Sequence, residues 1–216
     1  MIKAIVFDFD GVLVESVDIK THAFARLFEA EGPDVVRQIV DYHRAHTGVS
    51  RFEKFGYFYR TILKRELPDS EFERLCGRFS ELVVEEVAGA PYVKGGKEFL
   101  DRYRGDYKCF VASATPLPEL EDIIARRGIG RYFDRVYGAP QKKADAVREI
   151  MRENRLSADE VVFIGDAMSD YEAAAANGAH FIARINDDGD IFGGRACVRV
   201  RDLTGLKDIL DRMSRA

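Results

Sequence analysis

At 216 residues the chain has room for one ordinary domain, or a core with a smaller insert, but not for three. Its 46% hydrophobic and 32% charged residues exclude a disordered or fibrous protein, and a net charge of −4 gives no reason to expect nucleic acid as the main ligand. No stretch reaches the roughly 18 apolar residues of a membrane span, so no membrane partner is expected either.

The N-terminal segment reaches Asp8 too soon for a signal peptide's apolar region. Cys76, Cys109 and Cys197 are odd in number and widely spaced, which suits reduced thiols better than a disulfide frame. A cytoplasmic α/β protein is the expectation.

Ile2 to Phe9 reads as a first strand, with Ile5, Val6 and Phe7 in succession. Such an unbroken apolar run marks a strand covered by helices on both faces. From Ser16 to Pro91 the pattern turns helical. Ile19, Ala23, Phe24, Leu27 and Phe28 recur at helical spacing, and so do Phe72, Leu75, Cys76, Phe79, Leu82 and Val83 after a Pro68-Asp69-Ser70 start. With no strand-like alternation in it, residues 16–91 read as a helical cap inserted after the first strand. Gly95-Gly96 marks the return to the core, which is assigned residues 1–15 and 92–216. There, apolar runs at Cys109–Ala112, Val161–Ile164 and Phe181–Ala183 alternate with helical patterns over Leu117–Arg127, Ala144–Glu153 and Tyr171–Asn177, the last closed by Gly178. This alternation implies a Rossmann-like parallel sheet, whose ligands sit at the carboxyl ends of the strands.

Chemistry-bearing residues fall at those ends. Asp8-Phe-Asp10-Gly11 follows the first strand, and carboxylates two residues apart on extended backbone point to one side. Gly11 lets the chain turn sharply beside a ligand. Gly165-Asp166-Ala-Met-Ser-Asp170 is a second acidic turn after an apolar strand. Each turn alone could be a strand end or a helix cap. Together they gather carboxylates that repel unless a cation intervenes, and oxygen ligands without His or Cys suit Mg²⁺. Ser113, with the backbone N–H groups of Ala114 and Thr115, forms an anion cradle where a strand meets a helix start, though a plain N-cap is the commoner use. In Gly138-Ala-Pro-Gln-Lys142-Lys143 a lysine opens a helix, against the dipole, which points to another task or to a solvated side chain.

In order and spacing these four pieces resemble the motifs of the haloacid dehalogenase superfamily, within it the phosphoglycolate phosphatase and β-phosphoglucomutase-like proteins with a helical cap. The resemblance implies that Asp8 is the nucleophile, forming an aspartyl-phosphate, and Asp10 the acid and base. It implies that Mg²⁺ is held by Asp8, the Asp10 carbonyl and Asp166, with Asp170 in support. Ser113 and Lys143 would bind the phosphoryl oxygens, with Lys142 as the alternative register, and Gly11 and Ala114 would line the phosphate site. An acid at Asp10 sets the chain apart from the true dehalogenases and phosphonatases of the superfamily and favours a phosphate ester. The expected activity is hydrolysis of a small sugar or organic-acid phosphate.

The cap should set specificity. His46-Thr-Gly48-Val49-Ser50-Arg51 resembles the cap loop of β-phosphoglucomutases, in which the arginine holds a second phosphate; the other reading of Arg51 is a surface residue in a turn. That loop makes a phosphomutase the alternative function. Against it, the place ten residues after Asp10, a histidine in the mutases, holds Lys20. A non-catalytic phosphate-binding protein is the third reading, disfavoured because all four motifs are present. Phe52, Phe55, Tyr57, Phe58 and Tyr59 read as packing, and His22, His43, His46 and His180 as ordinary residues. Oligomeric state is not legible.

Overall fold

In a computed structural model, which describes residues 1–186 and 189–215, strand alternation decides the layering. In β1 (Ala4–Phe7) Ala4 and Val6 face one hydrophobic core while Ile5 and Phe7 face the other. β2 (Lys108–Pro116) divides likewise, with Cys109 and Val111 on one side and Phe110 and Ala112 on the other. β4 (Val161–Gly165) and β5 (His180–Arg184) follow the same rule. A strand apolar on both faces must be covered on both, and helices do this.

Two further strands, β3 (Arg135–Ala139) and β6 (Val198–Val200), complete a six-stranded parallel sheet of order β3-β2-β1-β4-β5-β6. Neither was expected from the sequence. Both are edge strands. Arg135-Val-Tyr-Gly-Ala is only half apolar, and the three residues of β6 are too short and too exposed to show a pattern. The chain winds from β1 outward to β3, then returns to place β4 on the other side of β1. That reversal leaves a crevice at the carboxyl ends of β1 and β4, where ligands of such sheets bind. Phe7 and Ile164 are in register there, so the turns that follow both strands start side by side.

Between β1 and β2 lie α1 (Val17–Leu27), α2 (Pro33–Ala45), α3 (Arg51–Tyr57) with a π-helical continuation over Phe58–Leu63, α4 (Asp69–Gly89) and α5 (Gly96–Tyr103). α4 starts directly after Pro68, and α5 follows Gly95. Phe24, Phe28, Phe55, Phe58 and Phe79 interlock as edge-to-face and tilted pairs in the helical cap, with ring centroids as close as 4.4 Å. Phe55, Phe58 and Tyr59 are buried there, as packing residues should be.

After β2 come α6 (Leu117–Arg126), α7 (Lys143–Asn154), α8 (Met168–Ala176) and α9 (Leu206–Met213). The first three match the expected helices within a few residues. All three cysteines are free thiols, with Cys109 buried. Among the described residues no helix is long and apolar enough to cross a membrane.

Candidate active site

The turn after β1 presents two carboxylates with different surroundings. Asp8 is buried; its Oδ1 accepts the Phe9 N–H at 2.6 Å and its Oδ2 lies 2.7 Å from Lys143 Nζ. Lys143, the first residue of α7, also bonds Asp170, on the first turn of α8. Lys142 is exposed, so Lys143 is the one that reaches Asp8. Asp170 in turn accepts the Ala167 N–H at 3.0 Å, which fixes the turn carrying Asp166. Asp8, Asp166 and Asp170 each offer an oxygen within 4.8 Å of the others.

One lysine cannot balance three buried carboxylates. Burial, reinforced by Asp170 and Asp10, pushes Asp8 up to about 7 against the pull of Lys143. Burial and then the charges of Asp8 and Asp170 raise Asp166 well above the carboxylate range. Lys143 is held above its ordinary value, the charges of Asp170 and Asp8 outweighing burial. Asp166 Oδ2 is buried and has no hydrogen-bond partner among the described residues. An all-oxygen donor set with excess negative charge and an orphaned oxygen fits a hard divalent cation. Asp170, expected only in support, stands as close to this cluster as the other two.

Gly11 closes the turn with φ +73°, and a Cβ built there would lie 2.2 Å from Asp166 Oδ2. Gly11→Ala is therefore expected to cost about 1–2 kcal/mol from the left-handed backbone alone. It should also displace Asp166 and weaken divalent-cation binding, read by urea denaturation and by Mg²⁺ titration. Unchanged stability and cation affinity would mean the turn relaxes freely.

Asp10 has its own set of partners. Lys20 Nζ bonds its Oδ2, Ser16 Oγ donates to Oδ1 at 2.6 Å, and Thr115 Oγ1 donates to Oδ2 at 2.9 Å. Burial works to raise Asp10, but the Lys20 charge and these hydrogen bonds outweigh it and hold the group below its ordinary value. The sequence does not mark Ser16 or the Thr115 hydroxyl as partners of Asp10, and marks Lys20 only as a departure from the mutase pattern. Nothing in the sequence brings α1 and β2 to Asp10; the fold does.

The expected anion cradle needs correction. β2 continues through Pro116, so Ser113 lies within the strand and not at a helix start. The Thr115 N–H is not free, because it donates to Ser113 Oγ at 3.1 Å. Ser113 remains beside Asp10, its Oγ 3.5 Å from Oδ2, and Ala114 lines the same cavity.

That cavity, about 40 Å³, lies between cap and core and is lined by Asp8, Asp10 and Asp166 below and by Arg51, Lys54 and Phe79 above. The loop between α2 and α3 closes over it. Ser169 Oγ donates to the Gly48 carbonyl at 3.1 Å, and a Cβ at Gly48 would sit 2.0 Å from Ser169 Oγ, so only glycine allows this approach.

Arg51 lines the cavity and is no surface residue. It is buried, pairs with Glu119, donates to Ser80 Oγ at 2.9 Å and lies over the Phe79 ring. His43 also departs from expectation: it is buried in the cavity wall, 2.7 Å from Lys54 Nζ. None of the five aromatics read as packing lines the cavity; Phe24 and Phe79 do.

The fold and the site define a capped, doubly wound α/β protein with its acids gathered at the reversal of strand order. Residues 5–184 match the family described as haloacid dehalogenase-like hydrolase, and the chain belongs to that family of enzymes. Among curated proteins it is 27% identical over 220 residues to a phosphorylated carbohydrates phosphatase of Thermotoga maritima, covering 96% of this chain and 100% of that one. It is 26% identical over 189 residues to a phosphoglycolate phosphatase of Vibrio cholerae, covering 83% and 82%. The fold is shared with β-phosphoglucomutase of Clostridium difficile at a TM-score of 0.80 and 16% identity, over 100% of this chain and 98% of that one. It is also shared with the magnesium-bound YfnB of Bacillus subtilis at 0.73 and 16%, over 97% and 99%.

Proposed function

We propose that the protein is a Mg²⁺-dependent phosphatase of small phosphate monoesters that works through an aspartyl-phosphate on Asp8. The observation that carries this reading is the different surroundings of two neighbouring carboxylates, Asp8 against Lys143 and the acid cluster, and Asp10 against Lys20, Ser16 and Thr115. The two curated relatives, both named phosphatases, support it.

Asp8, Asp166 and Asp170 would hold the Mg²⁺, with the Asp10 carbonyl as a further candidate ligand. The cation would supply charge neutralisation at the phosphoryl group and return Asp8 to its ionised form. Asp8 then attacks phosphorus, and the ester bond breaks with its electron pair going to the alcohol oxygen. Asp10 gives that oxygen a proton. Approach of a phosphate dianion raises Asp10's proton affinity by repulsion, so the proton arrives with the substrate. In the second half Asp10 takes a proton from the water that attacks the aspartyl-phosphate, freeing Asp8 and phosphate. Lys143 and Ser113 bind phosphoryl oxygens while the charge moves.

A phosphomutase is the second reading, favoured by the cap loop that closes over the cavity at Gly48 and by the β-phosphoglucomutase fold. The deciding measurement is phosphate release from a panel of small esters, with and without Mg²⁺. Release that EDTA lowers at least about a hundredfold, and that added Mg²⁺ restores, is the phosphatase result. Interconversion of sugar phosphates without net release is the mutase result.

A further inference from the structure

Three cations line the cavity, Lys20, Arg51 and Lys54, and Lys143 stands beside it at Asp8. Lys20 pairs with Asp10, and Lys143 with Asp8 and Asp170. The mechanism uses both of these pairings. It does not use the pair that joins Arg51, at the start of α3, to Glu119 on the first turn of α6.

This pair crosses from cap to core and is buried, its side chains only 4% and 6% exposed. Both carboxylate oxygens of Glu119 are taken. Oε1 accepts from Arg51 Nη2, and Oε2 accepts from Ser80 Oγ at 2.6 Å. Arg51 Nη1 donates to the same Ser80 oxygen at 2.9 Å, and its guanidinium lies 4.3 Å from the centre of the Phe79 ring. Side chains of α3, α4 and α6 thus close a ring of hydrogen bonds, and the fork of Arg51 is occupied within the protein. A substrate anion could take Arg51 only by displacing Glu119, which would leave a buried carboxylate with no counter-charge.

Lys54 offers a second anion little more. It is 2% exposed and pairs with no carboxylate among the described residues. Burial and then Lys20 hold it well below its ordinary value, the pull of Asp10 offsetting only part, so it sheds its charge readily. Its Nζ lies 2.7 Å from Nδ1 of His43, which burial and then the neighbouring cations push down to about 2 and keep neutral. His43 lines the cavity, and its Nε2 is buried without a partner among the described residues. A hydroxyl both donates and accepts, so it satisfies this nitrogen in either tautomer, whereas an anion only accepts.

We propose that Glu119 positions Arg51 so as to set specificity. Holding the arginine's fork, it turns away esters with a second anionic group and leaves the cavity to phosphate monoesters whose alcohol part is uncharged and carries a hydroxyl. The inference rests on the phosphatase reading and narrows its substrate. Phosphoglycolate, with a carboxylate next to its phosphate ester, falls among the excluded compounds.

The test uses inert phosphonates with Mg²⁺ present, so that binding is read without turnover. Titration calorimetry compares 3-hydroxypropylphosphonate with two probes that carry a second anion, 3-phosphonopropionate and propane-1,3-bisphosphonate. The wild-type protein should bind the hydroxyl probe about tenfold or more tightly than either two-anion probe, since a buried anion without a partner is costly. Glu119→Gln keeps the shape and removes the charge, leaving Arg51 unmatched. In that variant the two-anion probes should gain about tenfold or more, while affinity for the hydroxyl probe stays within about threefold. The unliganded variant should melt below the parent, and a two-anion probe should raise its Tm more than the hydroxyl probe does. A folded Glu119→Gln protein that keeps the wild-type order, or loses affinity for all three probes together, overturns the proposal. So does a wild-type protein that binds a two-anion probe as tightly as the hydroxyl probe or more so, a result read without any variant. Failure of the phosphatase reading is separate, since it shows as absent phosphate release in the ester panel.

Discussion

Asp8→Asn is expected to abolish phosphate release, with a loss of kcat on the order of 10⁴-fold or more, as for removal of other covalent nucleophiles. The amide is nearly isosteric, but its oxygen is a poor nucleophile and carries no charge for a cation. The fold should survive. Asp8 shares its crevice with Asp166 and Asp170, and one lysine, paired with Asp8 and Asp170, faces all three charges, so deleting one charge relieves repulsion. The metal-free variant should therefore melt at the same temperature as the parent or above it. The checks are steady-state phosphate release, a melting curve, and acid-stable labelling of the protein by a labelled ester, present in the parent and missing in the variant. Residual turnover within about tenfold of the parent, in a folded variant, would remove Asp8 from the role of nucleophile.

The second large effect is expected at Asp10, and its size should depend on the leaving group. General acid catalysis is worth roughly 10²–10⁴-fold when the departing oxygen is basic. An alkyl phosphate releases a strongly basic alkoxide, so Asp10→Asn should slow it by that range. A nitrophenyl phosphate releases a stable phenolate that leaves without a proton, and its first step should hardly change. Comparing the two esters in the same variant separates loss of an acid from general damage to the site. Equal losses for both would return Asp10 to a positioning role. Asp10 is well placed for such a selective effect because Ser16, Lys20 and Thr115 hold it apart from the three-acid cluster.

Particular residues show how far the sequence could be read. The acidic turns at Asp8-Phe-Asp10 and at Gly165-Asp166 were legible because each follows an unbroken apolar run, and such runs end where a parallel sheet opens to ligands. Lys143 stood out because a cation at a helix start opposes the dipole. β3 escaped notice because an edge strand needs fewer apolar residues. The Thr115 hydroxyl is not legible as a partner of Asp10, because a hydroxyl within a strand looks the same whether it packs or bonds.

Lys54 was hidden for a different reason. A lysine among the aromatics of α3 reads as the polar face of an amphipathic helix, and only the packing of α3 beside α2 turns it inward onto His43. Arg51 was noticed through its loop, yet Glu119 lies 68 residues away and no local pattern pairs them.

The class of fold, the helical insertion and the residues at the strand ends are all legible along the chain, because they depend on short-range periodicity and on chain order. Which charges meet is set by packing. Lys20 with Asp10, Arg51 with Glu119, and Lys54 with no carboxylate among the described residues are outcomes of helices and strands brought together across long separations. Electrostatic interaction depends on distance and burial, and neither is written along the chain.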